Sequence, residues 1–178
     1  MSLGRAPFLG RNGAFALFNE SVLQHLDLVK ATDVQFIWQT GKYYSAEIAQ
    51  RLEGQDIPNL VVTDFITDMG AAYKAADLVI SRAGASSISE FCLIGKPVIL
   101  VPSPNVAEDH QTKNALALST KDAAIYVKDA EAPATLLKLA VDTVKDEAKL
   151  KSLSENVLKL ALPDSAEIIA KEVIKLAK

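Results

Sequence analysis

The sequence has only one cysteine and two histidines among its 178 residues. The single cysteine, Cys92, excludes an intrachain disulfide and a cysteine-based metal site, which suits a reducing compartment. Because it falls on the apolar side of a predicted helix and no histidine is near it in sequence, we interpret Cys92 as a small core residue rather than a nucleophile. His25 is interpreted as a surface residue of the first predicted helix. No HxxxH, HExxH or clustered aspartate pattern is present, so we expect no metal site.

Long apolar runs and a strong charge of either sign are also lacking. No run approaches the roughly 18 apolar residues that span a bilayer, and no signal peptide opens the sequence. The formal net charge is -3, with acids and bases mixed along the chain. Since binding to a phosphate backbone needs a basic patch, nucleic acid is not expected as a partner. These absences predict a globular, cytoplasmic protein.

Strands and helices alternate along most of the chain. Short apolar runs predict strands, and apolar residues at intervals of three and four predict helices between them. Runs that are apolar on both faces suit a parallel sheet covered by helices. This order predicts an α/β fold with a doubly wound, Rossmann-like parallel sheet. The predicted strands are 35–39, 60–62, 78–80, 98–101 and 124–127, and the predicted helices are 15–30, 45–51, 68–76, one from 86 or 87, 108–118, 134–144, 147–160 and 165–177.

The first 14 residues have neither period. The Met-Ser-Leu start resembles an expression leader, and Pro7, Phe8 and Leu9 are a weak candidate for a first strand. Either these residues form a degraded first strand and loop, or the sheet begins one strand late. We therefore divide the chain into residues 1–14, a leader or degraded first strand and loop, and a domain over residues 15–178 that includes the C-terminal packing helices.

The stretch 81–97 combines a strand end, a loop of small residues and a helix start. Residues 84–87 are Gly, Ala, Ser and Ser, and their small side chains let a phosphate or sugar reach the backbone N–H groups. A helix N-terminus with free N–H groups favours an anion. Glu90, one turn into the helix, can accept two hydrogen bonds from a ribose diol.

Two other loops carry candidate binding residues. Phe65 and Ile66 follow a predicted strand and can sandwich a base while their backbone reads its edge, but an apolar pair that plugs the next helix is equally compatible. Gln111 can offer a donor and an acceptor to sugar hydroxyls, and so can Asn114. On spacing alone, solvated residues at a helix start are the favoured interpretation of this segment. No carboxylate at fixed spacing marks His110 as a general base.

Two runs of residues carry a resemblance to a known family. They are DFITDMGAAYKAADLVISRAGASSISEFCLIGKPVILVPSP at 64–104 and EDHQTKNALAL at 108–118. These runs resemble the C-terminal, donor-binding half of the MurG family, the UDP-N-acetylglucosamine (UDP-GlcNAc) transferases that convert lipid I to lipid II in peptidoglycan synthesis. The resemblance extends from about residue 18 to the C-terminus, and it implies one half of a GT-B glycosyltransferase. The small-residue loop with a glutamate is common to many two-domain glycosyltransferases, while the HQxxNA segment narrows the resemblance.

The resemblance implies roles for residues of the three loops. Phe65 and Ile66 match the loop that holds uracil through backbone contacts, and Met69 begins the helix beside it. Residues 84–87 match the loop and helix N-terminus that face the diphosphate. Glu90 matches the glutamate bonded to the ribose hydroxyls.

By the same resemblance, the segment that carries residues 110–114 binds the sugar end of the donor. Gln111 matches the glutamine that reads the GlcNAc hydroxyls, His110 stands where the family often has a glutamine, and Asn114 belongs to the same motif. The implied donor-binding residues are Phe65, Ile66, Met69, Gly84, Ala85, Ser86, Ser87, Glu90, His110, Gln111 and Asn114.

The sequence departs from the family pattern in two ways. The acceptor-binding half, with the proposed catalytic base, has no counterpart here, so we expect no catalytic residue in this chain. The family's strand and GGS-x-GA loop before the first helix are replaced by PFLGRNGAFALF at 7–18. Because that loop normally also touches the diphosphate, the replacement bears on donor affinity. A missing first strand would also leave the sheet edge differently covered.

The resemblance also implies the substrates and the location. We expect UDP-GlcNAc as donor, a lipid-linked acceptor bound through the missing N-terminal half, no metal or other cofactor, and a parent enzyme that lies peripherally on the inner face of the cell membrane. Two alternatives stay open: the donor half of another lipid glycosyltransferase that uses UDP-galactose or UDP-glucose, and a non-catalytic nucleotide-binding module. An NAD-binding domain is disfavoured because GxGxxG and its acidic partner are not found.

Overall fold

The computed structural model describes residues 7–9 and 16–176. Its strands all belong to one sheet, and its helices cover both faces of that sheet. The strands are β1 (Pro7–Leu9), β2 (Phe36–Gln39), β3 (Leu60–Thr63), β4 (Leu78–Ser81), β5 (Val98–Leu100) and β6 (Ile125–Tyr126). The helices are α1 (Ala16–Gln24), α2 (Leu26–Ala31), α3 (Ser45–Arg51), α4 (Met69–Ala75), α5 (Ala85–Ile94), α6 (His110–Ser119), α7 (Ala132–Lys145), α8 (Glu147–Leu158) and α9 (Ser165–Leu176), with short 3-10 turns at Ala107–Asp109 and Asp129–Glu131.

The sheet is parallel and doubly wound. Its six strands lie in the order β3-β2-β1-β4-β5-β6, and every neighbouring pair is parallel. The chain therefore winds outward from β1 to β3, crosses back to β4, and winds outward to β6. This is the Rossmann strand order, in which ligands bind where the order reverses, beside the carboxyl ends of the central strands. The predicted fold class is confirmed.

β1 is one of the two central strands of the sheet. It pairs with β4 through Pro7 opposite Leu78 and Leu9 opposite Ile80, and with β2 on its other side. The alternative that the sheet begins one strand late is therefore wrong. So is the expectation of a differently covered edge, because the edge strands are β3 and β6. The loop 10–14, where the sequence departs from the family pattern, lies outside the described residues.

Two predicted helices begin or break elsewhere than their periodicity indicates. The predicted helix 15–30 is divided at His25. The His25 N–H donates to Val22 O, three residues back instead of the four of an α-helix, at 3.1 Å, and His25 Nδ1 lies 2.8 Å from Ser21 O. The predicted helix 108–118 begins at His110, because Glu108 and Asp109 have φ of 52° and 51°. Since this left-handed conformation cannot continue an α-helix, it turns the chain before α6.

The strands have apolar side chains on both faces, which separates the core into two layers. Along β4, Leu78 and Ile80 lie in one buried cluster with side chains of α1 and α7. Val79 lies in a second cluster, with side chains of α4, α5, α6 and α8. Cys92 belongs to this second cluster, and burial raises the pKa of its thiol. The interpretation of Cys92 as a small core residue is confirmed.

Helix α9 has no buried side chain in its described range. Its large apolar residues are all solvent-exposed: Ile168, Ile169, Val173, Ile174 and Leu176. Among residues 7–9 and 16–176, no helix has both the length and the apolar character that a bilayer crossing requires.

Asn19 joins α1 to the carboxyl end of β2. The Trp38 indole N–H donates to Asn19 Oδ1 at 3.0 Å, and Asn19 Nδ2 donates to Thr40 O at 3.2 Å. Both side chains are buried. Asn19 therefore satisfies a donor and an acceptor that water does not reach.

We expect Asn19→Ala to lower the free energy of unfolding by about 1–3 kcal/mol, because it leaves the Trp38 N–H and the Thr40 carbonyl buried without this partner. Equilibrium urea denaturation measures the loss. The matched control is Asn105→Ala at an exposed position, which should change stability by less than about 0.5 kcal/mol. Equal stabilities of the two variants would contradict the role of Asn19.

Candidate functional site

The candidate site lies at the carboxyl edge of the sheet, where the loops after β2 and β3 emerge on one side of β1 and the loops after β4 and β5 emerge on the other. Parallel strands deliver these loops to one edge, which is where open α/β sheets bind ligands. The first two loops are joined at their base by the Thr40 N–H, which donates to Thr63 O at 2.9 Å. The third and fourth are joined by the Val101 N–H, which donates to Ser81 O at 2.9 Å. The structure thus brings together the segments that carry the predicted site residues.

The loop after β4 leads into the N-terminus of α5. Gly84 is the N-cap of α5, in an extended conformation, and provides no side-chain cap. The first intrahelical bond runs from the Ile88 N–H to Gly84 O at 3.0 Å, so the N–H groups of residues 85–87 precede the helical ladder. Ala85 and Ser86 are exposed, whereas Ser87 is buried. Such an N-terminus attracts an anion through its N–H groups and the helix dipole.

Glu90 lies one turn into α5 and is half-buried. Its Oε2 accepts a hydrogen bond from the Tyr73 hydroxyl of α4 at 3.3 Å. The carboxylate is therefore held beside the N-terminus of α5 by a neighbouring helix.

The loop after β3 combines both interpretations of the Phe65–Ile66 pair. Phe65 is 56% exposed and can stack on a flat ligand, while Ile66 and Met69 pack against the second core cluster. The Ile66 N–H donates to Gln39 Oε1 at 3.1 Å, and Thr63 Oγ1 donates to Phe65 O at 3.0 Å. The backbone of this loop is thus fixed by side chains from the ends of β2 and β3.

Gln39 is a residue that the sequence-based prediction missed. Its side chain is 6% exposed and connects β2 to Ile66, 27 positions later in the chain. The only signal in the sequence is a polar residue that ends an otherwise apolar strand. The Ile66 N–H is therefore already bonded within the protein, and a ligand that reads it has to share it with Gln39 or displace Gln39.

Gln111 and Asn114 of α6 make different contacts. Gln111 Oε1 accepts the Ser103 N–H at 2.9 Å, so the acceptor oxygen of this amide is already used within the protein. Asn114 Nδ2 donates to Ala83 O at 3.0 Å and so connects α6 to the loop before α5. Gln111 and Asn114 thus each use one end of the side-chain amide to hold a loop of the candidate site. His110 is exposed, with Nδ1 2.8 Å from Ala107 O.

Arg82 connects the loop after β4 to the loop after β5 and to Asp129. The sequence-based prediction also missed this residue. Its side chain is 3% exposed and forms an ion pair with Asp129. The same Nη1 lies 3.1 Å from Val101 O and 3.3 Å from Pro102 O. A buried guanidinium needs such partners to offset its desolvation. Since Asp129 is 47 positions away, no local pattern could have indicated the pair.

A cavity of about 350 Å³ adjoins this ion pair, within the size range of small-ligand sites. Its lining includes Tyr44, Arg82, Ser103 and Asp129, together with the first residues of α1. Within the described residues, no group of three His, Cys, Asp or Glu side chains could hold a metal ion. The expectation that donor binding needs no metal stays a prediction from the resemblance.

Comparison with protein families places this arrangement in context. Residues 11–169 match the family described as Glycosyltransferase family 28 C-terminal domain. The chain is 63% identical over 170 residues to the UDP-N-acetylglucosamine-N-acetylmuramyl-(pentapeptide) pyrophosphoryl-undecaprenol N-acetylglucosamine transferase of Bacteroides thetaiotaomicron, covering 95% of this chain and 46% of that protein. It is 50% identical to the transferase of the same name from Porphyromonas gingivalis, covering 95% of this chain and 44% of the relative. The chain spans about half the length of the curated relatives it matches.

Solved structures agree on the fold. The crystal structure of MurG from Acinetobacter baumannii superposes with a TM-score of 0.75 at 26% identity, covering 97% of this chain and 52% of that one. The calicheamicin glycosyltransferase CalG4 superposes with a TM-score of 0.71 at 14% identity, covering 98% of this chain and 45% of that one. At that identity the likeness concerns the fold alone.

We expect Gln39→Ala to raise the hydrogen-exchange rate of the Ile66 amide by roughly 3- to 10-fold, since the lost bond is worth about 0.5–1.5 kcal/mol. Amide exchange followed by NMR measures this directly. The control Gln50→Ala changes an exposed glutamine of α3 and should leave that amide unaffected. An unchanged Ile66 rate in Gln39→Ala would show that the side chain does not hold the loop.

Proposed function

Because the chain belongs to the glycosyltransferase family 28 C-terminal domain family, we propose that it is the donor-binding half of an inverting UDP-GlcNAc transferase that converts lipid I to lipid II in peptidoglycan synthesis. The resemblance to the MurG family that residues 64–118 carry is confirmed by this membership and by the identity to the Bacteroides thetaiotaomicron relative. The substrates and the reaction of the whole enzyme are part of the proposal, since the chain covers 46% of that relative.

The observation that carries the proposal is the N-terminus of α5, where Gly84 provides no side-chain cap, with Glu90 one turn inside the helix. In the proposed complex, the N–H groups of residues 85–87 receive the diphosphate, because a helix N-terminus favours an anion. Glu90 accepts hydrogen bonds from the ribose hydroxyls. This order along α5 orients the nucleotide, with its base toward α4 and its sugar toward α6.

The two ends of the donor meet the neighbouring loops. The base lies beside Phe65 and Ile66, where the exposed ring offers a stacking surface. The GlcNAc hydroxyls meet Gln111, whose amide nitrogen can donate while its oxygen is bonded to the Ser103 N–H. Asn114 contributes by holding Ala83, and Met69 by supporting the base loop from the core.

In the proposed reaction, the 4-hydroxyl of the acceptor MurNAc attacks the anomeric carbon of UDP-GlcNAc, and UDP leaves with inversion at that carbon. Negative charge then develops on the departing diphosphate. The α5 N-terminus stabilises this charge electrostatically without a metal. The acceptor and the catalytic base belong to the other half of the enzyme, so this chain contributes donor binding and stabilisation of the leaving group.

We also propose that the parent enzyme acts at the inner face of the cell membrane as a peripheral protein. A lipid-linked acceptor has to be met at a bilayer surface. The nucleotide donor is water-soluble, so a site that faces the cytoplasm and binds both at once suits the reaction.

We expect this chain to bind UDP-GlcNAc more tightly than UDP-glucose or UDP-galactose in calorimetric titration. Glu90→Ala should weaken binding roughly 10- to 100-fold, since hydrogen bonds to a charged group are worth about 1.5–3 kcal/mol. Gln111→Ala should weaken UDP-GlcNAc while leaving UDP unchanged. The exposed Glu53→Ala is the control.

Other results of this titration would favour other functions. Preference for UDP-galactose or UDP-glucose would indicate the donor half of a different lipid glycosyltransferase. Failure to bind any UDP-sugar, together with no effect of Glu90→Ala, would support a non-catalytic module instead.

A second expectation concerns turnover. The 178-residue chain by itself should form no lipid II from lipid I and UDP-GlcNAc, because the acceptor-binding groups are proposed to lie in the other half of the parent enzyme. A radiolabelled-donor assay with the full-length Bacteroides thetaiotaomicron relative as positive control measures this. Substantial turnover by the chain alone would refute the assignment of the catalytic base to the other half.

A further inference from the structure

We propose that Tyr73 is a positioning residue for ribose recognition, acting through Glu90. This inference rests on the proposed function, which assigns Glu90 to the ribose diol. Tyr73 lies on α4 and its hydroxyl donates to Glu90 Oε2 at 3.3 Å. The two residues are 17 positions apart, on helices that flank β4.

The Tyr73 ring is rigidly held. Tyr73 is 7% exposed and lies edge-on to Phe91, with ring centroids 5.7 Å apart and an interplanar angle of 80°. Such an arrangement of aromatic rings is favourable beyond its burial. The ring belongs to the second core cluster, with Val79 and Val98. Its hydroxyl is therefore presented to Glu90 from a fixed point.

Helix α4 is itself fixed at both ends. Asp68 caps it by accepting the Ala71 N–H at 2.8 Å, and Lys96 Nζ donates to Ala76 O at 2.5 Å just beyond its end. Burial lowers the pKa of Lys96, in keeping with the sheltered position of this contact. The position of Tyr73 is thus set by the scaffold rather than by solvent.

Glu90 needs this help because its side chain has three rotatable torsions and is only half-buried. A carboxylate accepts about four hydrogen bonds, so one from Tyr73 is compatible with two from a ribose diol. Tyrosine is a neutral donor and leaves the negative charge of the carboxylate in place. The expected effect is preorganisation, in which Glu90 is already oriented when the nucleotide arrives.

Tyr73 also connects two proposed subsites. Helix α4 begins at Met69, which packs against the same core cluster as Ile66 of the base loop. The Tyr73 hydroxyl therefore positions the Glu90 carboxylate, which is proposed to bind the ribose, relative to the loop that is proposed to meet the base. The spacing between base and ribose recognition is built into one rigid unit.

The test uses Tyr73→Phe, which keeps the ring against Phe91 and removes only the hydroxyl. We expect the Kd for UDP to rise about three- to tenfold, as for loss of one hydrogen bond, and the Kd for 2′,3′-dideoxy-UDP to stay unchanged. Tyr73→Phe should have no further effect on UDP in the Glu90→Ala background. The control Tyr43→Phe alters a tyrosine that is 87% exposed and should change neither Kd.

The other outcomes separate the inference from the proposed function. Equal weakening of both nucleotides by Tyr73→Phe, checked against its thermal unfolding midpoint, would show a merely structural role. No weakening of either would show that the hydroxyl is not used. In both cases, loss of ribose discrimination in Glu90→Ala would leave the proposed function standing. If the chain bound no UDP, or if Glu90→Ala kept its ribose discrimination, the proposed ribose site would fail and the inference with it.

Discussion

Because every neighbouring pair of strands in the sheet is parallel, each crossing of the chain returns to the amino edge of the sheet and emerges again at the carboxyl edge. Four loops and the N-terminus of α5 are thereby collected at one place, although they are far apart in sequence. The central position of β1 makes this arrangement continuous, since β2 and β4 both pair with it. The candidate site follows from strand pairing before any of its side chains is considered.

Polar side chains then hold the collected loops to one another. Gln39 holds the backbone of Ile66, and Asn114 holds Ala83. Arg82 holds the backbone just after β5 and the turn at Asp129. Each of these bonds satisfies a group that would be costly to leave unpaired where water is excluded. The proposed ligand contacts, Glu90 and Gln111, are bonded to this framework rather than free in solvent. The framework is thus the part of the site that gives it a defined shape.

Much of the fold could be predicted from the sequence, and the failures have physical causes. The helix at Ser45–Arg51 and the strands at 78 and 98 carry strong periodicity or continuous apolar runs, so local pattern sufficed. β1 carries no such local pattern, because a strand of three residues gains its stability from the strands that pair with it on both sides. The start of α6 was misplaced because left-handed φ at Glu108 and Asp109 leaves no trace in apolar spacing. Gln39, Tyr73 and Arg82 escaped notice because their partners lie 17 to 47 positions away.

The single buried thiol has a practical consequence for experiments on the site. Cys92 lies on α5, the helix whose N-terminus is proposed to face the diphosphate, and it is shielded by the second core cluster. Cys92 is 4% exposed, and burial also raises the pKa of its thiol, so we expect alkylating reagents to reach it only when this side of the molecule opens. The rate at which Cys92 is labelled therefore measures how often the region around α5 opens. A bound nucleotide that stabilises α5 would slow this labelling without any added probe.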